Sequence, residues 1–202
     1  MKILIISSLI IFTYGCNAQL TNDTDIKKKN KMEKFDKLTF EKNKVNGEYI
    51  YTLEDGSEVR QMENLKSLEY TEEIREPGTP FSRVKVFFME NGQLKVVGDR
   101  FYLIPIGKWQ YYDKFNNLEK ETDWDVEYKF TIYDLANMML EKDVNIMKIQ
   151  KGIDVLRSDI AGPRYIIVYP VDSIKRPYDF YNLVINGISG EEIEKTIISV
   201  RR

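Results

Sequence analysis

Histidine is absent from the 202 residues, and cysteine occurs once, as Cys16. Without His the chain lacks the usual general base and the commonest metal ligand, and every Ser-His or Cys-His dyad is excluded. A single Cys excludes an internal disulfide and a Cys-rich zinc site. An excess of one charge is lacking too: 30 Lys plus Arg stand against 32 Asp plus Glu. That balance argues against a dedicated nucleic-acid binder, which carries a basic excess. Gly107-Lys108 lacks the preceding glycines of a phosphate loop, and Gly187-Ile188-Ser189-Gly190 lacks the spacing of a nucleophile elbow. No cofactor and no metal are expected. What is present is a 43% apolar, 12% aromatic composition, enough for a packed core.

The first residues carry an address. Lys2 is a short positive region, Ile3 to Phe12 is an apolar run broken only by Ser7 and Ser8, and Thr13-Tyr14-Gly15-Cys16 follows. A bilayer-spanning helix needs roughly 20 apolar residues, so this shorter run reads as the core of a secretory signal. A small residue directly before a Cys resembles the lipobox of bacterial envelope lipoproteins, in the loosened form found among Bacteroidetes. The departure is Thr13, where Leu is usual. The resemblance implies a signal peptide over 1–15, cleavage before Cys16, lipidation of Cys16 and residence in the cell envelope on a lipid anchor. The outer membrane is the expected site. Several acyl chains on one residue give durable anchoring.

Residues 16–44 form the lipidated Cys and a polar, Lys-rich tether, with Lys27, Lys28, Lys29, Lys31, Lys34 and Lys37 close together. A short helix or irregular lead-in is expected over 31–43. From Val45 the pattern changes. Gly47-Glu48-Tyr49-Ile50-Tyr51-Thr52-Leu53 runs into Glu54-Asp55-Gly56-Ser57, an aromatic and β-branched run meeting a hairpin turn. Val84 to Met89 is a second such run and meets Asn91-Gly92, read as a two-residue turn. Glu76-Pro77-Gly78-Thr79-Pro80 must be a loop.

A repeat lies here. Phe87-Phe88-Met89-Glu90-Asn91-Gly92-Gln93-Leu94 aligns with Tyr111-Tyr112-Asp113-Lys114-Phe115-Asn116-Asn117-Leu118 at an offset of 24 residues. Gly98 and Gly107-Lys108-Trp109 lie between the copies. The pattern resembles the MORN-variant repeat: aromatic pair, turn with Gly, Leu, Gly, then Gly-x-Trp and another aromatic pair. Gly92, Leu94, Gly98, Gly107, Trp109 and Leu118 take the structural positions of that repeat, and Gly47 to Val59 is a degenerate relative. Asn116 stands where Gly is usual, and Asn tolerates the left-handed conformation. Hairpin repeats bury their aromatic faces by stacking, so a neighbour must cap a short array.

The region 127–202 reads differently. Thr131 is placed as N-cap of a helix whose Ile132, Leu135, Ala136, Met139 and Leu140 recur at helical spacing, with Asp134 as a capping-box partner. Strands are expected at 146–149, 153–156, 165–169, 180–185 and 193–200. The fold class is therefore α+β: an antiparallel hairpin-repeat sheet over 45–126, then a small helix-plus-antiparallel-sheet region over 127–202.

Two sets of residues carry functional expectations. Asp123 and Asp125 flank Trp124, and with Glu119 or Glu121 they could serve a cation or a glycan-cleaving carboxylate pair; the plainer reading is a charged solvent face opposite a buried Trp124. The aromatic pairs Phe87/Phe88 and Tyr111/Tyr112 should each give one residue to the core and one to a binding face, because successive strand residues point to opposite sides. Exposed Tyr is a common interface anchor. MORN-variant repeats recur in toxin–antitoxin components, so the resemblance implies a protein partner, a toxin among the candidates, and no catalysis. An envelope-anchored copy would suit an immunity protein. A structural lipoprotein without a dedicated partner, or a carboxylate-dependent glycan enzyme, are the alternatives.

Overall fold

The computed structural model describes residues 33–172 and 174–200; Cys16 and the stretch up to residue 32, where the leader and most of the tether are expected, lie outside the described residues. The first element is a short helix, α1 (Lys37–Asn43), started by Asp36, whose carboxylate accepts from the Thr39 amide at 3.0 Å and the Thr39 hydroxyl at 2.7 Å. Seven strands follow: β1 (Glu48–Thr52), β2 (Glu58–Asn64), β3 (Glu69–Arg75), β4 (Phe81–Phe88), β5 (Leu94–Phe101), β6 (Ile104–Tyr112) and β7 (Leu118–Asp123). They form one antiparallel sheet in which each strand lies beside its neighbour in sequence. Helix α2 (Ile132–Leu140) leads to β8 (Asp154–Ser158), β9 (Arg164–Asp172), β10 (Arg176–Asn186) and β11 (Glu192–Ser199), a second antiparallel sheet, again in sequence order. The fold is α+β, with two short helices among the described residues.

The turns of the first sheet repeat with the sequence. Leu68, Gly92 and Asn116 all adopt positive φ, at 56°, 71° and 68°, and are spaced by 24 residues. On the opposite end of the sheet Gly78 (φ 69°) and Tyr102 (φ 54°) keep the same spacing. The backbone period therefore runs from the β2–β3 turn to the β6–β7 turn. A further backbone copy lies around Leu68, where Glu63-Asn64 stand in place of the aromatic pair. Asn91-Gly92 sits in a four-residue turn, closed by Phe88 N to Gln93 O at 2.9 Å, not in the two-residue turn expected. Two-residue turns lie instead at Tyr102-Leu103, between the paired Phe101 and Ile104, and at Asn46-Gly47, between the bridged Val45 and Glu48.

Two hydrophobic clusters hold the chain together. The smaller is aromatic: Phe35 and Phe40, from the lead-in, pack on Tyr70, Phe87 and Leu94 of β3, β4 and β5. Phe35 stacks on Tyr70 with ring centroids 4.3 Å apart, a geometry that adds to the area buried. The larger cluster is mostly aliphatic. Leu135 and Met139 of α2 meet Val155, Ile167, Leu183 and Ile185 of the second sheet, and Phe101 and Ile104 join from the first. The two sheets thus share a core, and the described residues form one compact unit.

Helix α2 begins as its sequence dictates. The Thr131 hydroxyl accepts from the Asp134 amide at 3.2 Å, and the Asp134 carboxylate accepts from the Thr131 amide at 2.9 Å. Two further expectations fail, and one strand goes unforeseen. Residues 146–149 are irregular; Ile146 is fully buried as a plug in the larger core, so its apolarity reflects burial without a strand. Strand β3, which reads Glu-Tyr-Thr-Glu-Glu-Ile-Arg, was not expected, because its charges mask the pattern. Leu118, expected to match Leu94, is 53% exposed, whereas Leu94 is buried. It opens the edge strand β7, beyond the reach of the lead-in that covers Leu94.

Candidate interaction surface

Pairing across the first sheet sorts the aromatic residues by face. Phe87 lies opposite Tyr70 and is 1% exposed, so it belongs to the aromatic core. Tyr112 packs against the same cluster, and its hydroxyl donates to Gln110 Oε1 at 2.9 Å. Their neighbours Phe88 and Tyr111 point to the other face and are half-buried. Each pair therefore divides between the two faces, with Phe87 fully buried and Phe88, Tyr111 and Tyr112 half-buried.

The outward face has a defined chemistry. Met62, Thr71, Val86, Val96 and Tyr111 lie in one cross-strand row over β2 to β6, each half-buried. Two lysines frame it: the Lys95 ammonium lies 5.4 Å from the Phe88 ring centroid, and the Lys120 ammonium 5.6 Å from that of Tyr111. Lys95 also pairs with Glu69 at 2.6 Å. Burial is the largest single influence and raises the Glu69 carboxyl, but hydrogen bonds from Lys95 and Ser67 and the Lys95 charge together outweigh it and hold the group below its ordinary value.

Beside this row Trp109 is anchored. A Cβ at Gly98 would lie 2.3 Å from the indole, so only glycine leaves room for the ring to lie flat on the sheet. The indole Nε1 donates to the Asp99 carbonyl at 3.0 Å, and the Arg100 guanidinium stands 5.7 Å over the ring. Trp109 is 8% exposed and packs as part of the sheet. Gly107, at φ 59°, lets the chain enter the strand segment that carries it.

The opposite face carries a polar strip. Lys85, its side chain 11% exposed, pairs with Glu72 at 3.2 Å and Glu33 at 2.5 Å. Gln61 donates to the second oxygen of Glu72 at 2.7 Å. A buried ammonium needs such partners, and Glu33 brings one from the lead-in.

Asp123 and Asp125 do not stand as a free carboxylate pair. Asp123 Oδ1 accepts from the Asp125 amide at 3.0 Å, closing a local turn. Asp125 Oδ2 accepts from the Gly107 amide at 2.8 Å, and its Oδ1 faces Arg157 Nη2 at 2.8 Å. Trp124 is 40% exposed, so the buried Trp of the plainer reading is absent as well. Glu121 pairs with Lys108 at 2.9 Å on the same strand pair, and Glu119 is exposed. Among the described residues no group of carboxylates or thiols could hold a metal ion.

Arg157, which carries no sequence signal, joins the two sheets. Its Nη1 donates to the carbonyls of Pro105 (3.1 Å) and Trp124 (3.0 Å), and its Nη2 to the Tyr165 hydroxyl at 3.2 Å. Tyr165 passes its own hydrogen to the Phe130 carbonyl at 2.9 Å. The guanidinium lies 4.0 Å from the Tyr128 ring centroid, a desolvated cation–π contact. Burial and the Asp159 carboxylate, which accepts from the Tyr128 hydroxyl at 2.8 Å, push the Tyr128 phenol well above its ordinary range. These phenols stay protonated and act as props. No helix among the described residues is long and apolar enough to cross a membrane. Comparison with family models, with curated proteins and with solved structures finds no match to this chain.

Proposed function

We propose that the chain is a membrane-anchored envelope lipoprotein whose hairpin-repeat sheet, of MORN-variant type, binds another protein and performs no chemistry. The observation that carries this reading is the outward row from Met62 to Tyr111, framed by Phe88 and two lysines. It offers rings and aliphatic groups held in place by the sheet, and ordered side chains of that kind cost little entropy on binding. The backbone period of 24 residues and the Trp109–Gly98 fit support the repeat assignment. Within this reading a secreted toxin is the partner, and the chain acts as its immunity protein, on the strength of the family resemblance.

Two measurements test it. A photocrosslinker placed at Tyr111 or Phe88 should capture the same protein, and Tyr111→Ala with Phe88→Ala should abolish capture while the melting temperature stays near that of the wild type. Deletion of the gene should sensitise cells to an effector secreted by a neighbour. Unchanged survival in co-culture, together with no captured protein, would leave a structural lipoprotein in place of a binding module.

A further inference from the structure

The first sheet has two unlike ends. One end, at Phe101 and Ile104, is closed by α2 and the second sheet. The other end is formed by α1 and the turns at 65–68, 89–92 and 113–116. These are tied into one surface. The Leu68 carbonyl accepts from the Met89 amide at 3.0 Å, Asn91 Nδ2 donates to the Lys114 carbonyl at 3.2 Å, and the Lys37 ammonium of α1 donates to the Met89 and Glu90 carbonyls. Strand β5, eight residues long, sets the two ends about 26 Å apart, at about 3.3 Å per residue.

This turn end is apolar at its tips. Leu38 is 86% exposed, Phe115 73%, Val45 71%, Leu65 69% and Leu68 63%. Each class of tip carries a lysine beside its apolar residue: Lys37 beside Leu38, Lys66 beside Leu65, and Lys114 beside Phe115, with its ammonium 5.6 Å from the ring centroid. Leu118, whose exposure departs from the repeat pattern, follows the same turn. The described chain also begins here. Phe35 N donates to the Gly92 carbonyl at 2.9 Å, and Lys34 bridges Gln93, so the Lys27-Lys28-Lys29 run lies only a few residues upstream of this end.

We infer that the turn end is a bilayer-docking surface: Leu38, Val45, Leu65, Leu68 and Phe115 enter the interfacial layer, and Lys66 and Lys114 meet anionic headgroups, while Lys37 holds α1 to the β4–β5 turn. The arrangement is that of interfacial anchors generally, apolar side chains beside basic ones at a surface with no large net charge to oppose contact. A chain anchored upstream at Cys16, whose described residues start at this end, presents the tips to the membrane. The second sheet, at the far end, then points away from it. This inference rests on the membrane-anchored reading and adds the orientation of the domain.

A photoreactive phenylalanine analogue at position 38, 68 or 115 of the full chain tests it. Equally exposed controls are Leu103 (67%) and Ile160 (83%), from the β5–β6 and β8–β9 turns. The protein is reconstituted into phosphatidylethanolamine vesicles containing phosphatidylglycerol, irradiated, and lipid adducts are counted by mass. Adducts at the three tip positions should exceed those at the two controls severalfold and fall when phosphatidylglycerol is omitted. Leu68→Glu with Phe115→Glu should reduce the adducts at position 38 severalfold without lowering the melting temperature, since both side chains face solvent. Equal adducts at all five positions would overturn the inference. Protein adducts in native membranes without lipid adducts in vesicles would overturn it as well, showing that a partner covers this end. Cys16 is weighed in the same samples. Lipidated Cys16 without tip adducts removes the docking surface and leaves the lipoprotein. Tip adducts with unmodified Cys16 remove the anchor and leave the docking surface.

Discussion

The aromatic cluster at the turn end and the aliphatic cluster at the junction end stabilise the same unit by different means. At the turn end five side chains suffice, and two of them, Phe35 and Phe40, come from a lead-in that reaches the sheet from outside it. At the junction end fourteen buried residues come from both sheets, α2 and the segments flanking α2, and Arg157 stitches the two sheets through carbonyl oxygens and a phenol. A cluster closed by a lead-in can open without separating the sheets. A cluster shared by both sheets cannot. Cooperativity should therefore be centred on the junction, with the turn end as the more readily opened region.

The sharpest way to break this contrast is a matched pair of deletions. Phe40→Ala should cost about 3–5 kcal/mol and Leu135→Ala about 2–5 kcal/mol, since both side chains are fully buried. They should differ in reach. In hydrogen exchange, Phe40→Ala should speed exchange in β3 and β4 while β9 and β10 keep their protection. Leu135→Ala should speed exchange in both sheets. Equal effects on both sheets from both variants would show a single undivided core.

A smaller effect is expected where the first sheet stores its own anchor. Gly98→Ala places a Cβ against the Trp109 indole and should cost about 1–3 kcal/mol by overpacking. Combining it with Trp109→Leu should cost less than the sum of the two changes, because the shorter side chain vacates the space the new Cβ takes. Additive losses in chemical denaturation would mean that the two sites are not coupled through that contact.

The smallest effect sits at the junction end, in the capping box of α2. Thr131→Ala should cost about 1 kcal/mol. The Asp134 carboxyl is held below its ordinary value by hydrogen bonds from the Thr131 hydroxyl and amide. A carboxyl lowered by folding stabilises above its unfolded value, about 4, and that contribution is lost as pH falls through the folded value. Thermal melts of Asp134→Ala and the wild type should therefore differ at neutral pH and converge in acid.

Local chemistry was legible in the sequence, and distant chemistry was not. The Asp55-Gly56 turn, the left-handed Asn116 and the Thr131–Asp134 box each follow from residues a few positions apart. The last three strands do too, since their apolar runs end at turn residues. Strand β3 was hidden because Glu72 faces Lys85 of β4, a partner that neutralises it only once the sheet exists, while Glu73 pairs with Arg75 along the strand itself. Ile146 was misread because an apolar residue that plugs a core leaves the same signal as one in a strand. At the candidate surface, alternation along the strand placed Phe87 and Phe88 on opposite faces, but their burial depended on the lead-in and on Lys95. Arg157 was invisible: its carbonyl partners, Pro105 and Trp124, lie 52 and 33 positions away.

The sequential order of the strands bears on how quickly the chain can find its fold. Because every strand pairs with its neighbour in sequence, each new pairing closes only a short loop, and the entropy lost at each step is small. Chains dominated by such local pairings have low contact order and fold rapidly for β-rich proteins. A first sheet built this way can grow hairpin by hairpin from its N-terminal side. Two clasps span long stretches of chain: Phe35 onto Gly92, and Arg157 onto Pro105. They can form only when both partners are already ordered, and so they belong to the late, native side of the folding barrier, where they slow unfolding more than they speed folding.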